Sequence, residues 1–130
     1  MARWTFGRRN GYGKTIQMVS LLVADPKRPS LVVAPTVALL QWRNEMRKYA
    51  PSLQVLVWHG AQRAKDAEAL HASDVVLTSY AVLESTFRRD RYGVMRNGRR
   101  VHDRSLLHTM LWRRIILDES TPGSYTHLRL

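Results

Sequence analysis

At 130 residues the chain is one domain or part of one, and its 45% hydrophobic content is enough for a core. It has no cysteine, which excludes a disulfide framework and thiolate metal sites, and no apolar run or N-terminal apolar region indicates a membrane span or secretion. A formal charge of +11, from 21 Lys and Arg against 10 Asp and Glu, points to a polyanionic partner.

In chain order, Trp4-Thr5-Phe6 has strand propensity. The stretch Gly11-Tyr12-Gly13-Lys14-Thr15-Ile16-Gln17 reads as the second half of a phosphate-binding loop. Apolar residues at Ile16, Val19 and Leu22-Val23 give a helical rhythm over 14–24, stopped by Asp25-Pro26. Leu31-Val32-Val33-Ala34 reads as a buried strand between Ser30 and Pro35. Thr36 is the expected N-cap of a helix over 37–49. A strand over 53–58, a helix over 61–71, a strand over 74–78 and a helix over 80–88 follow. Residues 89–103 are polar and basic with Gly93 and Gly98, which predicts a surface loop or hairpin insertion. A short helix over 105–111 precedes a last strand, Arg113 to Leu117, ending in Asp118-Glu119. Strands alternating with helices through short connections predict an α/β fold, a parallel sheet with helices on both faces.

In such sheets ligands bind at the carboxyl ends of the strands. The phosphate loop, Pro35-Thr36, Thr78-Ser79-Tyr80 and Asp118-Glu119 all fall there. In the loop, glycine lets backbone N–H groups close on a phosphate, Lys14 reaches the β and γ phosphates, and the Thr15 hydroxyl holds Mg²⁺. Asp118, after an Ile-Ile-Leu strand, fits the second Mg²⁺ ligand, and Glu119 fits a group that orients or deprotonates water. Arg88, Arg89, Arg91, Arg96, Arg99, Arg100 and Arg104 crowd one segment, which reads either as nucleic-acid phosphate contacts or as a solvated loop. Trp42, Trp58 and Trp112 read as core rather than base-stacking platforms. His102 and His108 are too isolated to argue for zinc.

These segments together resemble the SWI/SNF-type DNA-dependent ATPases of helicase superfamily 2. Gly13-Lys14-Thr15-Ile16-Gln17, then Leu31 to Thr36 with Gln41-Trp42 and Glu45, resembles motifs I and Ia. Asp74 to Tyr80 is similar to the motif Ib region, and Trp112 to Glu119 to the approach to motif II. Thr78 to Ser85, with the arginine-rich insertion after it, resembles the nucleotide-excision-repair branch that carries an embedded RING finger. The resemblance covers residues 11–119. It implies a RecA-like P-loop NTPase lobe, here truncated, of a nuclear, ATP-driven translocase on double-stranded DNA that works with repair or chromatin complex proteins and no membrane. ATP contacts are implied for Gly11, Gly13, Lys14, Thr15 and Gln17, Mg²⁺ contacts for Thr15 and Asp118, catalysis for Asp118 and Glu119, and DNA contacts for Pro35, Thr36, Thr78, Ser79 and Tyr80. It also implies a nucleotide site closed between two lobes, so that this chain alone has negligible ATPase activity, and a central place in the sheet for the first strand.

Both ends depart from the family pattern. Arg8-Arg9-Asn10 stands where the family has Asp-Glu-Met. Phe6 to Gly11 can be encoded by codons that, read one nucleotide out of frame, give Leu-Ala-Asp-Glu-Met-Gly. The hypothesis is that residues 1–10 are the family's own sequence in a shifted frame; incompatible codons in the coding DNA would sink it. After Glu119 the family's Ala-His is replaced by Ser120-Thr121, and residues 120–130 read as a non-native tail. Two other classes stay open at this point: a non-enzymatic basic DNA-binding or inert fragment, and an unrelated P-loop kinase.

Overall fold

Three runs rich in Val, Ile and Leu become strands buried along their length, save for the last residue of the third, as expected where both faces of a parallel sheet are covered. They are β2 (Ser30–Ala34), β4 (Val75–Ser79) and β7 (Arg114–Glu119). The computed structural model describes residues 3–8, 12–60 and 67–119. With β1 (Arg3–Arg8) and β3 (Val55–Trp58) these strands form a five-stranded sheet in the order β1-β7-β2-β4-β3, every pair parallel. A separate two-stranded antiparallel ribbon joins β5 (Val94–Arg96) to β6 (Arg99–Val101).

Strand residues alternate between the two faces. Val32, Ala34, Val75, Leu77 and Ile116 meet α1 (Tyr12–Ala24) and α2 (Leu39–Tyr49), through Val19, Leu22, Leu39, Trp42 and Met46. Leu31, Val33, Val76, Ile115 and Leu117 meet the other layer. That layer comprises α3 (Ala67–Ala72), α4 (Tyr80–Tyr92) and α5 (Leu106–Thr109), through Leu70, Val82, Leu83 and Leu107. The expected α/β architecture with helices on both faces is the one observed.

Several boundaries differ from expectation for local reasons. Thr36 does not cap α2. Pro35 is extended, its carbonyl accepts from Ala38 N–H at 2.8 Å, and Thr36–Ala38 form a single 3₁₀ turn before the helix. Helix α4 runs past Arg88 to Tyr92 and stops at Gly93, whose N–H returns to the Arg89 carbonyl at 3.0 Å. Of the helix expected over 61–71, residues 61–66 lie outside the described residues and the remainder forms α3. β1 sits at the end of the sheet beside β7, not in its centre as the family resemblance implies.

Buried Arg114 pins the lower edge of the sheet. It donates to the Asp25 carbonyl at 2.7 Å and to the Asp25 carboxylate at 2.8 Å, tying the end of α1 to the start of β7. Trp42, Trp58 and Trp112 are all buried core residues, as their sequence contexts predict.

Candidate nucleotide and DNA site

The strand alternation that builds the core also aims Asp118. Ile116 faces α1 and α2, so Asp118, two residues on, faces the same way. There it is nearly buried, at 5% exposure, and its Oδ2 accepts the indole N–H of Trp42 at 2.8 Å. The Tyr80 hydroxyl donates to the Asp118 backbone carbonyl at 3.3 Å. The carboxylate is thus gripped from α2 while its backbone is gripped from α4. Glu119 has the opposite parity and is exposed at the strand's end.

The parallel register sets Gly7 opposite Asp118 and Arg8 opposite Glu119. The carboxyl end of β1, which feeds α1, therefore lies beside the carboxyl end of β7. Thr15, in the first turns of α1, is buried at 2% exposure on the face that Asp118 also meets. Gly13 and Lys14 lie in the same helix N-terminal segment, and Gln17 on it is exposed. Gly11 and the side chain of Lys14 lie outside what the structure describes. The first turn of α1 carries no acidic residue, so nothing there offsets the helix dipole's preference for an anion.

A carboxylate and a hydroxyl are hard oxygen donors, the set that suits Mg²⁺ when phosphates and water complete its shell. Among the described residues no three His, Cys, Asp or Glu side chains converge, so no all-protein cage for a metal forms there. Asp118 and Thr15 each offer a donor of that type, and both are buried.

The other rim residues separate into two kinds. Thr36 is exposed on the 3₁₀ turn after β2, next to buried Pro35. Thr78, Ser79 and Tyr80 are buried, and their polar atoms have internal partners. Thr78 Oγ1 donates to the Trp58 carbonyl at 2.9 Å, and Ser79 Oγ caps α4 by accepting from Val82 N–H at 3.1 Å. Their hydroxyls shape the rim from below. The sequence reading missed Trp42 as a partner of Asp118. The available signal was that a buried indole N–H must find an acceptor; which acceptor, 76 positions away, is not visible in local pattern.

At the far end of the same rim lies a cleft of about 830 Å³ between the exit of β3, helix α4 and the β5–β6 ribbon. Buried Trp58, Val82 and Leu107 line it, together with Arg89, Arg96, His102, Asp103 and Arg104. No helix among the described residues is long and apolar enough to cross a membrane.

Comparisons with known proteins agree with this architecture. The chain is 46% identical over 112 residues to the ATP-dependent helicase rhp16 of Schizosaccharomyces pombe, covering 85% of this chain and 13% of that protein. It is 36% identical over 109 residues to the DNA repair protein RAD5B of Arabidopsis thaliana, covering 82% of this chain and 8% of that protein. The chain thus spans only a small part of the length of these curated relatives. Its fold matches the Sulfolobus solfataricus SWI2/SNF2 ATPase core, solved in complex with double-stranded DNA, with a TM-score of 0.55 at 23% identity, covering 90% of this chain and 27% of that one. The SNF2-related domain family matches residues 9–122, and the chain, with Gly13-Lys14-Thr15 in the first turns of α1 and buried Asp118 near the end of β7, belongs to that family.

Proposed function

We propose that this chain is the ATP-binding lobe of a DNA-dependent ATPase that translocates on double-stranded DNA in nuclear DNA repair, in nucleotide excision repair or chromatin-associated repair. The observation that carries the reading is the gripped carboxylate: Asp118 is held by Trp42 at 2.8 Å near the carboxyl end of β7, beside the carboxyl end of β1. In this reading Gly11, Gly13, Lys14 and Gln17 contact ATP, Thr15 and Asp118 hold its Mg²⁺, and Glu119 orients the attacking water. Bound Mg²⁺ would supply neutralising charge to the phosphates. The protein's part is to aim the Asp118 carboxylate and keep it largely out of solvent.

Exposed Thr36, after β2, is the rim side chain best disposed to meet a DNA backbone phosphate, with Pro35 fixing the turn beneath it. Thr78, Ser79 and Tyr80 contribute by setting the start of α4 at the same rim. The net charge of +11 favours the polyanion. Repair or chromatin complex proteins are the partners proposed, the repair part supported by the name of the relative RAD5B.

The test is binding of a fluorescent ATP analogue with and without Mg²⁺. Binding that is lost in Lys14→Ala and loses its Mg²⁺ dependence in Asp118→Asn supports the reading. Analogue binding unaffected by both substitutions overturns it. DNA binding that ignores both Lys14→Ala and ATP would instead favour a non-enzymatic DNA-binding piece.

A further inference from the structure

The arginine-rich insertion is a built structure, not a loose charge run. Asn97 and Gly98 both take positive φ, 51° and 77°, which closes a two-residue turn between β5 and β6 with the twist such ribbons need. Gly93, at φ 76°, lets the chain leave α4 so tightly that a Cβ there would meet Arg100 Cγ at 2.9 Å and the Val101 carbonyl at 3.0 Å. Arg100 donates to the Tyr92 carbonyl at 2.6 Å. Asp90 anchors the return of the chain twice: its carbonyl meets His102 Nδ1 at 2.9 Å, and its carboxylate accepts Ser105 N–H at 2.8 Å. Arg96, beside the turn, and Asp103, past the end of β6, form a two-pronged ion pair at 3.0 and 2.6 Å.

This scaffold leaves charge unspent. Between Glu84 and Arg104 there are seven arginines against three carboxylates. Glu84 pairs with Arg88 and Asp103 with Arg96, while Arg89, Arg91, Arg99, Arg100 and Arg104 make no ion pair among the described residues. Two of these, Arg89 from α4 and Arg104 from the ribbon's exit, line the 830 Å³ cleft, as does Asp103, which Arg96 already neutralises. Its lining by Val82, Leu107 and Trp58 is apolar, and low-dielectric walls focus the field of the cations that share the cleft. The cleft opens at the exit of β3. Strands β2 and β4 separate β3 from β7, so the cleft is distinct from the Asp118 site yet lies on the same rim.

We infer that this cleft is a second anion site, which clamps a backbone phosphate of double-stranded DNA between Arg89 and Arg104. The inference rests on the proposed DNA partner and adds where, away from the nucleotide, the duplex is gripped. Guanidinium pairs suit phosphate because each offers planar, two-pronged donation. Phosphate contacts position a duplex without reading its sequence. The grip is therefore independent of sequence and strongly dependent on salt.

The test measures binding of a labelled duplex to the 130-residue chain by fluorescence anisotropy across a salt series. Arg89→Ala/Arg104→Ala is expected to weaken binding tenfold or more and to lower the slope of log affinity against log salt by about 2, one ion per arginine. The control Arg47→Ala/Lys48→Ala removes the same charge from α2 on the opposite face and is expected to change affinity less than threefold. Arg89→Lys/Arg104→Lys is expected to keep the salt slope while losing part of the affinity with the two-pronged donation, which separates lost charge from misfolding. Equal loss in the cleft variant and the control overturns the site and leaves only bulk charge. A polyglutamate peptide that binds the cleft more tightly than the duplex also overturns it, assigning the cleft to an acidic protein. If the chain binds the ATP analogue but no duplex, the cleft inference falls while the nucleotide reading stands.

Discussion

The indole N–H of Trp42 and the carboxylate of Asp118 meet at 2.8 Å inside the protein, joining a helix on one face to the end of a sheet strand. A buried carboxylate is costly unless it is hydrogen-bonded, and Trp42 supplies one such bond while filling the core with its ring. Trp42→Phe keeps most of the apolar bulk and deletes the donor. It is expected to cost about 1.5–3 kcal/mol, the range for a hydrogen bond to a charged group. Urea denaturation followed by circular dichroism reads this directly, and an unchanged midpoint would show that the bond contributes nothing. Trp42→Ala adds a cavity and is expected to cost about 3–5 kcal/mol.

The same bond predicts a functional effect separate from stability. Trp42→Phe removes one of the bonds that aim Asp118, and a metal ligand less firmly aimed loses affinity. Mg²⁺-dependent binding of an ATP analogue is expected to weaken roughly tenfold in Trp42→Phe, the lower end for loss of a group that orients a metal ligand. Binding in the absence of Mg²⁺ is expected to stay within twofold. An equal loss in both conditions would mean that the substitution merely loosens the fold.

Much of this architecture was legible in the sequence because parallel strands buried on both faces need unbroken apolar runs, and Leu31-Val32-Val33-Ala34 and Ile115-Ile116-Leu117 are such runs. Asp118-Glu119 was legible as a rim pair because charge follows the run at once. What escaped local reading is non-local. Thr36 looked like a cap, yet the Pro35 carbonyl drew Ala38 into a 3₁₀ turn and left the threonine exposed. Thr78 and Ser79 carry hydroxyls that suit phosphate contact, yet burial directs them to Trp58 and Val82. Trp42 was readable as core but not as the partner of a residue 76 positions on.

The ion pair of Arg114 with Asp25 predicts an asymmetry. Arg114 is 2% exposed and the Asp25 side chain 53% exposed. Removing the acid leaves a buried cation without its counter-charge, whereas removing the arginine leaves a carboxylate already in water. Asp25→Ala is expected to cost about 1–2 kcal/mol, discounted for the solvent that reaches the pair, while Arg114→Met is expected to lie within about 1 kcal/mol of wild type. Chemical denaturation of both variants checks this. Equal costs would indicate that Arg114 contributes through packing of its stem and not through its charge.

Turnover is expected to separate from binding. The family resemblance closes the nucleotide between two lobes, and the described sheet supplies one. The 130-residue chain is therefore expected to bind the ATP analogue yet release phosphate at the buffer rate, with or without duplex DNA. DNA-stimulated phosphate release that disappears in Lys14→Ala would refute this.

Preorganisation of the basic ribbon makes the last prediction, because it can be lost without removing an arginine. A two-stranded ribbon has little stability of its own and depends on its anchors. Gly93 is the tightest of these: its φ of 76° disfavours any side chain, and an added Cβ would press on the Arg100 stem and the Val101 carbonyl. Gly93→Ala is expected to cost roughly 1–3 kcal/mol, confined to the ribbon because no core residue is touched. Hydrogen exchange is expected to speed up over 94–101 and to stay unchanged in β2, β4 and β7. With every arginine still present, duplex affinity is expected to fall several-fold while the salt slope keeps most of its value. The charges then still meet phosphate but must first be ordered. Gly98→Ala supplies the comparison: φ there is 77° but nothing lies within 4 Å of the added Cβ, so its cost is strain alone and its effect on exchange and affinity is expected to be smaller. If both alanine variants bind DNA like wild type, the arginines act by number and not by placement.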